Sequence, residues 1–531
     1  MPDRPDTISG ARAGAGWAAG AGLAVTAVVA LSLTASLVGV FYDDGIYLAL
    51  ARSLAGGHGY RLLYLPGAPG AVTYPLGYPL FLAALWKLFP SFPANVMLFK
   101  AANAVLLGLF AALLVLYLRK RVVRSELGLA VLVAVAATAV PLVTVATVLF
   151  AEPLFLVLLV AACWAGDAAR RAATPRSAWG LAGLAGLLAG AAAMTRSVGS
   201  VVLFGVIVSL LVVRRPRAAL VAVAAGAVCL APWLAWAAGH HGDADPILVA
   251  SYGTYTDLLA QAGWTWLSPA SILDLLAPLA AVALAPFHGW LRFYLGVPAL
   301  ILTVAGFAPL LQRAPSLGWS LAAYLVIVLL WPYGPDRFLW AVWPFLVLTF
   351  ALGVERSWAR LAPAAPALRS VGRGCVALVA VVVLFGYGFF QVRGYARADA
   401  GALQRGISAT MGEILPWIRE ATPPEAVVAG EDEALLWLYT GRRAVPNYVW
   451  RHRGRGAESL GPDSLRAWFD RAGVTAAVLT GPGSDAAATM NDVLSRFPGY
   501  LRVARVWPGS VLAFTVNRTS AGSGRAGGAA P

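Results

Sequence analysis

Charge is scarce in this chain. Only 12% of its 531 residues are Asp, Glu, Lys or Arg, about half the share found in ordinary soluble domains. That scarcity excludes disorder and a string of water-facing domains, because most of the chain cannot be solvated. Cysteine is scarcer still. Cys163 and Cys229 fall inside apolar runs and Cys375 begins another, so they read as packing residues rather than a disulfide framework. Acid is short relative to base, 25 residues against 40, for a formal charge of +15. A nucleic-acid partner is one reading of that excess, but the distribution argues against it. Basic residues cluster between apolar runs, as in Arg119-Lys120-Arg121 with Arg124, Arg170-Arg171, Arg214-Arg215 with Arg217, and Arg356 with Arg360. Such clusters mark cytoplasmic loops and set orientation.

What is abundant is apolar sequence: 60% of residues are hydrophobic. A bilayer span needs about 20 such residues. Candidate spans are 17–41, 96–118, 127–147, 151–168, 178–194, 197–213, 218–239, 293–312, 318–333, 338–354 and 374–391, about eleven by that length rule. The run 271–286 carries Asp274 and prolines and reads as a juxtamembrane helix; if it spans, every later side inverts. The first run, flanked by Arg4 and Arg12, reads as an uncleaved signal anchor with its N-terminus inside. Alternation from there places the basic clusters in the cytoplasm and the C-terminus outside.

Three regions follow: a transmembrane helical bundle over 1–395 with a long first outer loop at 42–95, an α/β domain over 396–516, and a disordered Gly/Ser/Ala tail over 517–531. The α/β reading rests on strands at 426–429, 475–480, 501–506 and 511–516 alternating with helices at 411–421, 431–440, 463–472 and 486–496, a spacing that suggests a partly parallel sheet. The sequon Asn517-Arg518-Thr519 reads as chance in such a tail.

Ionisable groups at span ends are costly and default to function. On the expected outer side stand Asp43 and Asp44 after the first span, Glu152, Arg196, His240 and His241 with Asp243 and Asp245, and Asp336-Arg337. They gather at one boundary rather than forming a path across the bilayer, which suits a surface reaction better than permeation. The first outer loop opens Phe41-Tyr42-Asp43-Asp44-Gly45-Ile46-Tyr47 and continues to Thr73-Tyr74-Pro75-Leu76-Gly77-Tyr78-Pro79. Two interfacial helices are expected there.

These residues together resemble the GT-C superfamily of membrane glycosyltransferases, in the branch of protein O-mannosyltransferases and aminoarabinose transferases. The resemblance rests on Asp43-Asp44 with Tyr47, the stretch from Tyr74 to Pro79, Glu152-Pro153, Thr195-Arg196, Asp336-Arg337-Phe338 before Trp343-Pro344-Phe345, and the segment from Trp417 to Arg443. It covers most of the chain in order. One departure stands out: Thr73-Tyr74-Pro75 replaces the Glu-Lys-Pro of aminoarabinose transferases, so a donor contact made there by Lys is missing.

The resemblance implies transfer of a monosaccharide from a polyprenyl-phosphate donor to an acceptor hydroxyl, with inversion, at the outer face of a bacterial plasma membrane. A phosphate leaving group needs no strong acid; the reaction needs a base and fixed cations. Asp43 is then the base and Asp44 a catalytic partner that orients the acceptor or a lysine-free polar network. Arg196 and Arg337 are phosphate clamps, since guanidinium offers a planar fork. Tyr47, Tyr74, Tyr78, Glu152 and Asp336 are substrate contacts. The acceptor is a glycan, a lipid or a protein. The Asp pair leaves a divalent cation open as a cofactor, and no metal site is assigned to the His240-His241 loop.

Each residue has a plainer reading. The aspartates could end a span, Glu152 could be a first-turn helix acid, and the arginines could snorkel to the interface. Rival functions are a transporter or flippase of polyprenyl-linked sugars, which would need mid-bilayer polar groups and repeats, and a non-catalytic scaffold. Arg442-Arg443 reads as a solvated turn. The acidic Gly430-Glu431-Asp432-Glu433 repels phosphate, so the outer domain is expected to hold no nucleotide and to shape acceptor access or steady the first loop.

Overall fold

The computed structural model describes residues 8–119, 121–122, 125–262, 269–454 and 456–518. Lys120, Arg124, Arg4 and the tail with Thr519 lie outside the described residues, as does the side chain of Asp274. The chain forms two compact units interleaved in sequence: a first of Met1–Thr34, Met97–Trp233 and Leu267–Ala402, and a second of Ala35–Val96, Leu234–Trp266 and Leu403–Pro531.

The first unit is almost wholly helical. Among the described residues, seven helices are long and apolar enough to cross a membrane: Gly14–Leu31, Val96–Leu118, Glu152–Arg171, Pro175–Thr195, Pro216–Gly239, Gly289–Arg313 and Pro366–Ala396. An eighth span would be the pair Glu126–Ala137 and Val140–Thr147, bent by 62°. This is a multi-pass membrane protein. The expected runs 197–213 and 318–333 fall on the shorter helices Ser197–Val212 and Pro315–Leu329, which are brief for a straight crossing. The run 338–354 lies across Asp336–Ala341 and Trp343–Arg360, and 271–286 lies on Pro269–Ala283. The first run is a correction in detail: its helix ends at Leu31. Ser32 turns its hydroxyl back onto the Val28 carbonyl, and Gly39 has φ +92°, so 32–41 leaves the helix instead of completing a longer span.

Small residues set the helix spacing. A Cβ on Gly306 would lie 1.7 Å from the Thr349 carbonyl oxygen, and one on Gly353 would lie 1.7 Å from that of Leu302. Helices Gly289–Arg313 and Trp343–Arg360 therefore approach backbone to backbone, the usual route to tight packing where lipid supplies no hydrophobic drive. Beside this contact is an apolar cavity of about 530 Å³ whose lining includes Leu279, Phe293, Leu346, Phe350 and Leu384.

The second unit is α/β. Its five-stranded sheet has β1 (Val427–Gly430), β2 (Arg443–Pro446), β5 (Val474–Leu479), β6 (Leu501–Trp507) and β7 (Val511–Val516); β3 (Trp450–Arg453) and β4 (Gly456–Ser459) form a separate ribbon. The order is β2-β1-β5-β7-β6, parallel from β2 to β5 and antiparallel from β5 to β6. Strands β2, β3 and β4 are not among the expected ones. They are four residues each, and the ribbon strands carry charged side chains, which hides a period-two pattern.

The loop helices Asp43–Ala55 and Gly77–Leu88 belong to this unit. The first is not a surface-lying amphipath. Asp44 through Ala51 and Ser53 are all buried, because helix Glu433–Thr440 covers it: a Cβ on Gly45 would meet the Ala434 Cβ at 3.1 Å. Gly39 lies just as close to Leu435, where a Cβ would sit 2.8 Å away.

Candidate active site

In the first unit the site is built around Glu152. It opens helix Glu152–Arg171 with Pro153 in the first turn, a position that favours an acid, yet it does more than begin a helix. The residue is fully buried. Its Oε1 is in an ion pair with the Arg196 guanidinium and accepts from Arg337 Nε at 3.1 Å. Arg196 has extended backbone at the junction between helix Pro175–Thr195 and the next turn, and Arg337 is the second residue of Asp336–Ala341. Aromatic rings hold both: the Arg337 guanidinium lies 3.6 Å from the Phe150 centroid, and that of Arg196 lies 5.6 Å from Phe338. Two guanidinium groups and one carboxylate leave a surplus of one positive charge.

The approach to Glu152 is fixed by a residue outside the sequence motifs. Asn103 donates to the carbonyls of Phe150 at 3.0 Å and Ala146 at 3.3 Å. Lys100, one turn earlier and also buried, donates to the Thr34 carbonyl at 2.9 Å. A Lys and an Asn within the apolar run 96–118 are the signal that could have found them. Tyr324 donates to the Phe338 carbonyl at 2.9 Å and steadies the turn that carries Arg337. Asp336 is exposed and forms no ion pair with Arg337 among the described residues.

In the second unit Asp43 and Asp44 part company. Asp43 Oδ1 accepts the Tyr74 phenol at 2.7 Å, and it is half-buried. Asp44 is fully buried and accepts the backbone N–H of Gly39 at 2.7 Å and of Phe41 at 2.9 Å, one on each oxygen. Burial pushes its carboxyl up to about 6. Asp44 therefore ties down the turn that leads into the helix carrying Asp43. Each Asp44 oxygen accepts a backbone N–H while Asp43 faces Tyr74, so the two neighbouring carboxylates have different partners. Among the described residues no group of three or more His, Cys, Asp or Glu is placed to hold a metal ion.

Tyr47, Tyr74 and Tyr78 form one aromatic cluster. Tyr47 meets Tyr74 edge-on at 5.3 Å and Tyr78 at 5.1 Å. Burial, with the Asp43 carboxylate next in effect, holds the Tyr74 phenol well above its ordinary value, so it remains a donor. Tyr74, the middle residue of the departing stretch Thr73-Tyr74-Pro75, is thus tied directly to the expected base.

Beneath this cluster the α/β part grips the loop. Leu37 N–H donates to Ser408 Oγ at 2.9 Å, Val38 N–H to the Tyr439 hydroxyl at 3.1 Å, and Ala444 N–H to the Tyr64 carbonyl at 3.0 Å. Buried Glu433 accepts the Tyr252 phenol, and burial raises its carboxyl to about 7. Tyr64 donates to Tyr252 at 3.3 Å. Tyr252 and the structural use of Glu433 were not expected; nothing in a lone Tyr or a surface-looking acidic triplet announces them. Glu431 accepts from the backbone of Thr480 and Gly481, and Arg442 donates to the carbonyls of Arg419 and Thr422, each at 2.9 Å. The histidine loop also disperses: His241 pairs with Asp257, Asp243 accepts from Gly70 N–H, and Asp245 pairs with Arg471.

No protein-family model and no curated protein matches this chain. Solved structures do. Crystalline ArnT from Cupriavidus metallidurans, bound to undecaprenyl phosphate, aligns with a TM-score of 0.57 at 14% identity over 94% of this chain and 98% of that one. The oligosaccharyltransferase AglB from Archaeoglobus fulgidus, in complex with an inhibitory peptide and a dolichol-phosphate, aligns with a TM-score of 0.53 at 11% identity over 95% and 74%. The chain has the GT-C fold. At these identities the likeness is one of architecture. Within that GT-C frame, a helical membrane unit carries the Glu152 cluster and an α/β-containing unit carries Asp43.

Proposed function

We propose that this chain transfers a monosaccharide from a polyprenyl-phosphate donor to the hydroxyl of a glycan, lipid or protein acceptor at the extracytoplasmic membrane face. The observation that carries the reading is the charge arrangement at Glu152. A sugar–phosphate diester bears one negative charge, and the phosphate monoester that leaves bears two. The reaction thus develops one extra negative charge, and Arg196 and Arg337 on a single carboxylate supply a matching positive one without having to be assembled during the reaction. The apolar cavity of about 530 Å³ in the same unit suits the prenyl chain.

In the proposed step the acceptor oxygen attacks the anomeric carbon, its proton passes to Asp43, and the bond to phosphate breaks with the electron pair leaving on phosphate. Attack opposite the phosphate inverts the anomeric centre. Tyr74 orients the Asp43 carboxylate and Asp44 holds the turn, while Tyr47 and Tyr78, both buried, back Tyr74 rather than touch sugar. Asp336, exposed beside Arg337, contacts donor or acceptor.

The test works whichever sugar is transferred. Envelope glycans and lipids are compared by mass between cells with and without the chain, then after restoring either the wild type or Asp43→Asn at equal membrane abundance. A wild-type-dependent increment of one sugar is expected. Asp43→Asn should reduce it by at least roughly 100-fold, the usual weight of a general base. Full restoration by Asp43→Asn, or no increment at all, overturns the reading.

A further inference from the structure

A second cavity, of about 500 Å³, lies in the second unit and is lined by Arg52, His58, Trp86, Lys87 and Trp437 among others, with no acidic residue in its wall. Arg52 is on the same helix as Asp43, nine residues later. At about 100° and 1.5 Å per residue that places it on the opposite side and about 13 Å along the axis, so this cavity is not the Asp43 surface.

Its construction is that of an anion site. The Arg52 guanidinium rests over the Trp437 ring at 4.6 Å, which fixes its plane and leaves its N–H edges for a ligand. Neither Arg52 nor Lys87 has an ion-pair partner among the described residues. The wall at Trp86 is stiff: Trp86 stacks on Phe92 at 5.5 Å, and Phe92 packs on Tyr439 at 4.9 Å. Cations facing two indole rings suit an anionic group joined to a larger body. What that body is follows from the rim. Immediately after Lys87 come Leu88, 71% exposed, and Phe89, 55% exposed. Both are large apolar residues, in a chain that spans a membrane. Basic groups in a largely apolar cavity with an apolar rim together describe an amphiphile, and basic and aromatic residues at an apolar edge are the usual company of lipid headgroups.

We propose that this cavity binds the phosphate headgroup of an anionic lipid, with its acyl chains running over Leu88 and Phe89. The site is independent of Asp43 acting as a base.

The full-length protein in neutral detergent is titrated with phosphatidylglycerol, phosphatidylcholine or inorganic phosphate, and retained lipid is read by native mass spectrometry. The wild type should retain phosphatidylglycerol roughly tenfold more tightly than phosphatidylcholine, with each cation worth a few-fold. Arg52→Gln with Lys87→Gln should bring the preference to within about twofold. Lys87→Gln alone, at an exposed position where folding is safe, should lower it measurably, whereas Arg442→Gln should not. No preference in the wild type, or a preference that survives the double variant, overturns the proposal. Displacement of phosphatidylglycerol by millimolar inorganic phosphate overturns the lipid assignment in favour of a free anion.

Discussion

Glu152 in the membrane unit is fully buried and touches two guanidinium groups. Asp44 and Glu433 in the other unit are buried just as deeply, and among the described residues no cation pairs with either. They are served by backbone N–H groups and a phenol instead, and burial shifts both toward the protonated form. The contrast separates two ways of keeping a carboxyl out of water. A counter-ion fixes a charge in place, whereas neutral donors hold a group whose charge can be withdrawn. The first suits a site that must carry charge when a phosphate leaves; the second suits a scaffold that locks a loop.

The most damaging way to break this contrast is to remove the anion from the paired cluster. Glu152→Gln leaves Arg196 and Arg337 without the carboxylate both share. An uncompensated buried charge costs about 3–5 kcal/mol, so the variant should unfold at markedly lower temperature in detergent, read by intrinsic fluorescence. Arg337→Gln is the milder partner, since it leaves the Glu152–Arg196 pair intact. If Glu152→Gln unfolds at the wild-type temperature, the cluster is not a buried ion network.

The second unit should respond to pH rather than to pairing. Both its carboxyls are held above their ordinary values by burial, Asp44 to about 6 and Glu433 to about 7. The folded chain then binds these protons more tightly than the unfolded one. Their stabilising effect is full below about pH 4 and is lost as pH rises through about 6 and 7. For Glu433 the shift corresponds to roughly 3 kcal/mol at most. Melting temperature should fall between pH 5.5 and 8, and Glu433→Gln should flatten the upper part of that fall. An unchanged slope in the variant would assign the pH response elsewhere.

The same contrast explains what the sequence could disclose. Membrane helices advertise themselves, because an apolar run of about 20 residues has few other uses, and Glu152, Arg196 and Arg337 stand out against it by their cost. Long-range pairing is different. That both arginines meet a single oxygen of Glu152, and that Asp43 and Asp44 point to different tasks, depend on backbone direction that neighbouring letters do not encode. The helix ending at Leu31 was hidden because Ser32 to Val40 remains apolar enough to extend the run. Lys100 and Asn103 were readable as polar letters within a span, but their use, on the carbonyls of Thr34 and Phe150, was not. In the α/β part, the apolar strands were legible and the ribbon β3–β4 was not, since its pairing is local and its one buried face is carried by Trp450 and His452 among arginines.

The smallest expected effect sharpens the contrast at its catalytic end. Tyr74 stands in the position where the resembling family carries Lys, and its phenol reaches Asp43 at 2.7 Å. A lysine there would bring a counter-ion, as in the membrane unit; a tyrosine brings a neutral donor, as at Glu433. Tyr74→Phe keeps the ring against Tyr47 and removes only that donor. A hydrogen bond to a charged group is worth about 1.5 kcal/mol; acting on the transition state, its loss slows transfer roughly tenfold, with a melting temperature lowered by no more than about 2 °C. The rate is read as appearance of the wild-type-dependent sugar increment over time at equal protein abundance. A slower rate accompanied by a markedly lower melting temperature would make Tyr74 a packing residue. A rate equal to wild type would mean that Asp43 is oriented by something other than this phenol.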